Sequence, residues 1–192
     1  MRIALIGVAC VGKSTIGELL AGKWGYTFID FDQEVKARMN TSISKLMEKC
    51  FNDYEYRQKV KHILPQILLE NKDNMVIAMP PFGLFREFLT IFREHNDVLT
   101  VALKDKAKNI LSRTFFTDDD DNIINEEIIN DGNRHLYYEE IKKDISYYYT
   151  SLRKADLQFN INGMNANDAT KLLAEQILIR KGEDYGTGSS LK

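Results

Sequence analysis

Cysteine is scarce in this chain. Two of its 192 residues, Cys10 and Cys50, carry thiols. They form no metal-ligand pattern, and such sparing use fits a reducing cytoplasm. An excess of one charge is missing too. With 26 Lys and Arg against 28 Asp and Glu, the formal net charge is −2. That gives no field to draw the chain to nucleic acid or to an anionic membrane. No apolar run approaches the roughly 20 residues that span a bilayer. Met1-Arg2 runs straight into Ile3-Ala4-Leu5-Ile6 and a glycine, which is too short for a secretory signal. There is no internal repeat.

What is present is ordinary globular composition, 44% hydrophobic and 28% charged, in a length that suits one domain with its own core. Residues 1–181 form that domain. Residues 182–192, with Gly-Thr-Gly-Ser-Ser, have nothing to pack and are expected to be a disordered tail. Apolar segments at 2–6, 26–29, 75–79, 98–103 and 157–161 alternate with helical patterns, as in a parallel sheet covered on both faces. The first helix, 14–24, is expected to turn Leu19, Leu20 and Ala21 inward. Residues 33–71 read as mostly helical, with breaks near Asn40-Thr41 and Asn52-Asp53 and with Ser42 and Asp53 as N-caps. Further helices are expected at 84–94, 106–113, 134–152 and 165–180. Residues 114–133 carry Asp118-Asp119-Asp120-Asp121 with Glu126, Glu127 and Asp131, and no basic residue.

Residues 7–15 read Gly-Val-Ala-Cys-Val-Gly-Lys-Ser-Thr, directly after the first strand and opening the first helix. This Gly-x-x-x-x-Gly-Lys-Ser spacing aims successive backbone N–H groups and a helix N-terminus at one point, which suits a phosphate. Gly7 and Gly12 allow the backbone conformations and the close approach. Lys13 reaches the β- and γ-phosphates, Ser14 ligates Mg²⁺, and Thr15 extends the turn toward the α-phosphate. Cys10 reads as a small filler of the loop, with a reactive thiol as the other reading. The chain has no Asn-Lys-x-Asp loop of the kind that reads guanine. The second strand ends on Asp30-Phe31-Asp32, at the carboxyl edge where ligands bind in open α/β sheets. One carboxylate there can hold the Mg²⁺ shell and the other can take a substrate hydroxyl as acceptor or base. A plain helix N-cap with a solvated neighbour is the other reading of the pair.

Taken together, Lys13-Ser-Thr-Ile-Gly-Glu-Leu-Leu-Ala, Gly25-Tyr-Thr-Phe-Ile-Asp-Phe-Asp, Tyr56-Arg57, Arg113-Thr114, Arg134 ahead of Tyr138-Glu-Glu-Ile, Ala155-Asp-Leu and Asn162-Gly163 resemble the shikimate kinase family. The resemblance runs from Arg2 to about Ile179. It implies a three-layer α/β/α P-loop kinase fold on a five-stranded parallel sheet, with a lid at about 114–133. It also implies ATP and Mg²⁺, a small hydroxy acid as partner, and a monomer. By position, Asp30 would hold Mg²⁺ through water, and Asp32 would bind the acceptor hydroxyls and help deprotonate the attacking one. Arg57 and Arg134 would clamp a carboxylate with their planar forks, and Arg113 would stack on adenine.

Two features depart from the family. Met79-Pro80-Pro81-Phe82-Gly83 stands where the family has a glycine-rich turn, and prolines remove N–H donors there. The lid lacks the family's arginine, and its aspartates are expected to be a solvated loop that repels phosphates. Three readings follow: a shikimate kinase with an altered pocket, a kinase for another hydroxy acid, and a nucleotide-binding module with little catalysis.

Overall fold

The computed structural model describes residues 1–124 and 128–186. The chain starts with β1 (Arg2–Ile6), every residue of which is buried. Helix α1 (Lys13–Trp24) packs close on the sheet. At Gly17 a Cβ would come within 2.7 Å of the Phe28 ring and 3.2 Å of Leu5, so only glycine fits that approach. Leu20 and Ala21 face inward as expected. Leu19 does not; it lies on the outer face of α1 and is 36% exposed, because a step of one residue turns the helix by about 100°.

Strand β2 (Thr27–Asp30) leads into α2 (Phe31–Met39), α3 (Ile43–Glu48), α4 (Asp53–Val60) and α5 (Ile63–Glu70). Ser42 caps α3, its hydroxyl accepting from Lys45 N at 3.2 Å. The cap of α4 is Asn52 rather than Asp53, with Asn52 Oδ1 accepting from Glu55 N at 3.0 Å. Asp53 instead takes the first helical position, where its charge favours the helix dipole. Then come β3 (Met75–Ala78), α6 (Arg86–Glu94), β4 (Val98–Lys104), α7 (Ala107–Leu111), α8 (Arg134–Leu152), β5 (Leu157–Asn160) and α9 (Ala166–Gly186). The last helix therefore covers the first part of the expected tail. Residues 187–192 lie outside the described residues, as do Glu126 and Glu127 of the lid.

All strand pairs are parallel, in the order β2-β3-β1-β4-β5. Order reverses on either side of β1, so its carboxyl end is the switch point where such sheets bind ligands. The loops after all five strands open on that edge. At the opposite edge Arg2, 5% exposed, donates through Nε to Asp97 at 2.7 Å and through Nη1 to Leu68 O at 2.8 Å. Among the described residues, no helix is long and apolar enough to cross a membrane.

Candidate active site

The turn after β1 is held too tightly for any side chain at its first residue. A Cβ on Gly7 would sit 2.7 Å from Leu103 O and 2.8 Å from Val11 Cγ1. Gly12 adopts φ 107 as the cap of α1 and offers no side-chain hydrogen bond to the helix, so the first N–H groups stay free for an anion. Cys10 is half-buried with φ 55. Lys13 curls back on the loop, Nζ donating to Val8 O at 2.9 Å and to Gly7 O at 3.1 Å. Burial draws its ammonium down to about 8, against the opposing pull of Asp32.

Beside this loop, Ser14 Oγ donates to Asp30 Oδ2 at 2.7 Å. The other Asp30 oxygen accepts from Asp32 N at 3.0 Å and Gln33 N at 3.3 Å, capping α2. Asp30 is thus the N-cap and also the loop's neighbour. Two hard oxygen donors converging there fit a Mg²⁺ that keeps several waters. Asp32 is close to Lys13 and Asp30. Burial first, and the Asp30 charge second, push its carboxyl up to about 6. A carboxyl tuned to that range can gain and lose a proton near neutrality.

The wall opposite is aromatic. Tyr56, on α4, meets Phe82 edge to face with centroids 5.8 Å apart, and Phe82 packs on Phe88 at 5.4 Å. Phe88 in turn meets Phe31, the residue between the two aspartates, at 5.7 Å. Arg57 is 12% exposed. Its Nε lies 3.8 Å from Glu87 Oε2, and its guanidinium sits over the Phe85 ring at 4.8 Å. Glu87 was not legible as a site residue, because it arrives from α6, some thirty positions on.

On the far side of the phosphate loop, Arg113 Nη2 donates to Asp105 Oδ2 at 2.6 Å. The Asp105 side chain is fully buried. Its other oxygen accepts from Lys106 N, Asn109 Nδ2 and Gly163 N. One carboxylate therefore ties the loop after β4, the loop after β5 and the arginine together. A cavity of about 390 Å³ opens beside them, lined by Val8, Leu103, Asp105, Tyr149, Asn160 and Asn162.

The lid departs from expectation. Asp118, Asp119 and Asp120 are exposed, but the run is folded onto α2 and α3 instead of hanging over the phosphates. Asp121 accepts from Ile43 N at 2.9 Å and from Ser44 Oγ at 3.3 Å, and Lys36 Nζ lies 3.7 Å away. Ser42 Oγ donates to Asp119 O at 2.6 Å, and Lys45 pairs with Asp120. Asp120 and Asp121 thus face cations and a helix N-terminus, and Asp118 accepts from Asp120 N and Asn122 N. Arg134 opens α8 as expected, yet it is exposed. It lines a cavity with Phe115, Phe116, Ile124 and Ile128, away from the Asp32 and Arg57 neighbourhood.

Comparison with known proteins agrees with this geometry. The family model described as shikimate kinase matches residues 9–159. The shikimate kinase of Macrococcus caseolyticus is 33% identical over 134 residues, covering 70% of this chain and 68% of the relative. That of Aquifex aeolicus is 41% identical over 78 residues, 41% of this chain, and the match spans less than half of the relative, 45%. The crystal structure of the Aquifex aeolicus shikimate kinase superposes with a TM-score of 0.66 at 27% identity, over 92% of this chain and 96% of that one.

Proposed function

The chain belongs to the shikimate kinase family, and on that premise we propose that it transfers the γ-phosphoryl group of ATP to a hydroxyl of shikimate. The observation that carries this reading is Asp32. It stands at the carboxyl end of the sheet beside Lys13 of the phosphate loop, with its carboxyl pushed up to about 6.

In this reading the free N–H groups of residues 7–15 cradle the β- and γ-phosphates. Lys13 leaves Gly7 O and Val8 O to pair with them. Ser14 directly, and Asp30 through water, would hold Mg²⁺, which when bound neutralises charge on the phosphates. Asp32 accepts the hydrogen bond of the acceptor hydroxyl, fixes it in line with the γ-phosphorus and takes its proton as the new P–O bond forms. Arg57 pairs with the acceptor's carboxylate from the aromatic wall. Arg134 reaches the same anion only if the base of the lid moves. Arg113, fixed by Asp105, offers a flat guanidinium for the adenine ring. Two free, half-buried cysteines suit a reducing cytoplasm.

The test is a coupled assay of ADP release with ATP, Mg²⁺ and shikimate, run beside a panel of other hydroxy acids. Turnover strictly dependent on shikimate is expected. No turnover with shikimate, but turnover with another acid of the panel, would reassign the acceptor. Tight ATP binding with no turnover at all would make the chain a binding module.

A further inference from the structure

Asp105 and Arg113 are joined by one hydrogen bond where two are possible. Asp105 Oδ2 accepts from Arg113 Nη2 at 2.6 Å. An arginine fork placed for stability alone engages both carboxylate oxygens. Here the second oxygen, Oδ1, is already taken by Lys106 N at 2.8 Å, Asn109 Nδ2 at 2.7 Å and Gly163 N at 3.2 Å. Arg113 Nε is left buried without a hydrogen-bond partner among the described residues. Burying a carboxylate and orphaning a guanidinium N–H both cost stability, so as a stabilising contact the pair is a poor one.

What the pair fixes is position. Asp105 lines the cavity of about 390 Å³, together with Val8 of the phosphate loop and with Asn160 and Asn162 around the end of β5. Arg113 stands one hydrogen bond from that wall and is 33% exposed, so a bound molecule can reach it. Burial opposes the Asp105 charge, but the hydrogen bonds from Asn109 and Arg113 outweigh it and hold the carboxyl below its ordinary range. Gly163, at φ 75, has the left-handed backbone that favours glycine, and a Cβ there would come within 3.0 Å of Asn109 Nδ2. The chain after β5 can therefore close on Asp105. One buried charge holds the guanidinium with one oxygen and residues 160–163 with the other.

We infer that Asp105 is a positioning residue for the nucleobase, holding together the two elements that border it, the Arg113 guanidinium and residues 160–163, while the phosphate loop binds phosphates without its help. This rests on the functional reading above, in which Arg113 faces the adenine ring. The oxygens of Asp105 are taken by the protein's own donors, so it acts through its partners and not on the base itself. A guanidinium whose plane is fixed beforehand meets an aromatic ring without the cost of ordering a long side chain.

The experiment is calorimetric titration with Mg²⁺ and either ADP or inorganic pyrophosphate, well below the melting temperature of each protein. Wild type, Asp105→Asn, Arg113→Ala and the double variant are compared. Asparagine keeps an oxygen for the loop nitrogens and removes the charge that faces Arg113. Each single variant should bind ADP about 5- to 30-fold more weakly, with pyrophosphate affinity within about twofold of the wild type. The two losses should not add, because the residues act as one unit. A merely structural Asp105 would not give a loss confined to the ligand that carries a base. Asp105→Glu, which keeps the charge but lengthens its arm, should give the same base-selective loss, and it carries the test if Asp105→Asn does not fold. Wild-type ADP affinity in the folded Asp105 variants, with a loss in Arg113→Ala, overturns the inference and leaves Arg113 its role. Equal losses for ADP and pyrophosphate also overturn it, by assigning Asp105 to the fold of the phosphate loop. If Arg113→Ala binds ADP as the wild type does, the reading of Arg113 falls and the inference falls with it.

Discussion

Asp121, in the segment after α7, stands 3.7 Å from Lys36 on α2, one helical turn beyond Asp32. Through this pair and through Ile43 N the segment is fastened to α2 and α3. Both charges are largely shielded, with side chains 26% and 13% exposed.

Asp121→Ala should therefore loosen the lid without touching the phosphate loop. Losing two hydrogen bonds and an ion pair should lower stability by about 1–3 kcal/mol. Limited proteolysis should cut within 114–124 faster than in the wild type, and the KM for shikimate should rise while the KM for ATP holds. Unchanged proteolysis would show that the contact does not restrain the lid.

The pH profile of kcat/KM should be bell-shaped. Asp32 must be ionised to accept a proton, so activity should fall as pH drops below about 6. Lys13 must be charged to meet the phosphates, so activity should fall again as pH rises past about 8. Initial rates from pH 5 to 9 check both limbs, and an acid limb near 4 would remove Asp32 from the role of base.

Asp32→Asn should abolish transfer and yet stabilise the ligand-free protein. With its folded-state value raised to about 6 from an ordinary 3.8, Asp32 holds a proton in the folded chain that the unfolded chain has released. Wild-type stability therefore declines as pH rises from about 4 to 6, and above 6 the buried charge remains as a constant penalty. The variant, neutral throughout, should gain about 1–3 kcal/mol over the wild type at pH 8 and almost nothing at pH 4. Melting curves at the two pH values decide it.

Arg57→Ala should raise the KM for shikimate more than Arg134→Ala does, because Arg57 lies in the buried aromatic wall and Arg134 at an exposed helix start. A 10-fold or larger loss is expected at Arg57, on the order of one charge-assisted hydrogen bond. A larger effect at Arg134 would mean that the lid base moves toward the acceptor during turnover.

Much of this was written in short stretches of chain. The phosphate loop spans residues 7–15, and the Asp30 cap of α2 needs only residues 30–33; its approach to Ser14 also needs β3, which lies between β1 and β2 in the sheet. The five strands were legible from their apolar runs, each to within a residue or two. Contacts of that kind depend on neighbours in sequence, and glycine, lysine and aspartate at fixed spacing encode them directly. Tertiary structure alone decided the rest. Asp121 meets Ile43 across 78 positions, Glu87 reaches Arg57 from another helix, and Arg134 opens its helix on schedule but faces the lid. No periodicity records where an irregular loop comes to rest, since its path follows from charges and caps it finds on distant helices. The unpaired hydroxyl of Tyr56 belongs to this second group. A tyrosine in the sequence states only that an oxygen is present, and its packing against Phe82 leaves that oxygen without a partner among the described residues.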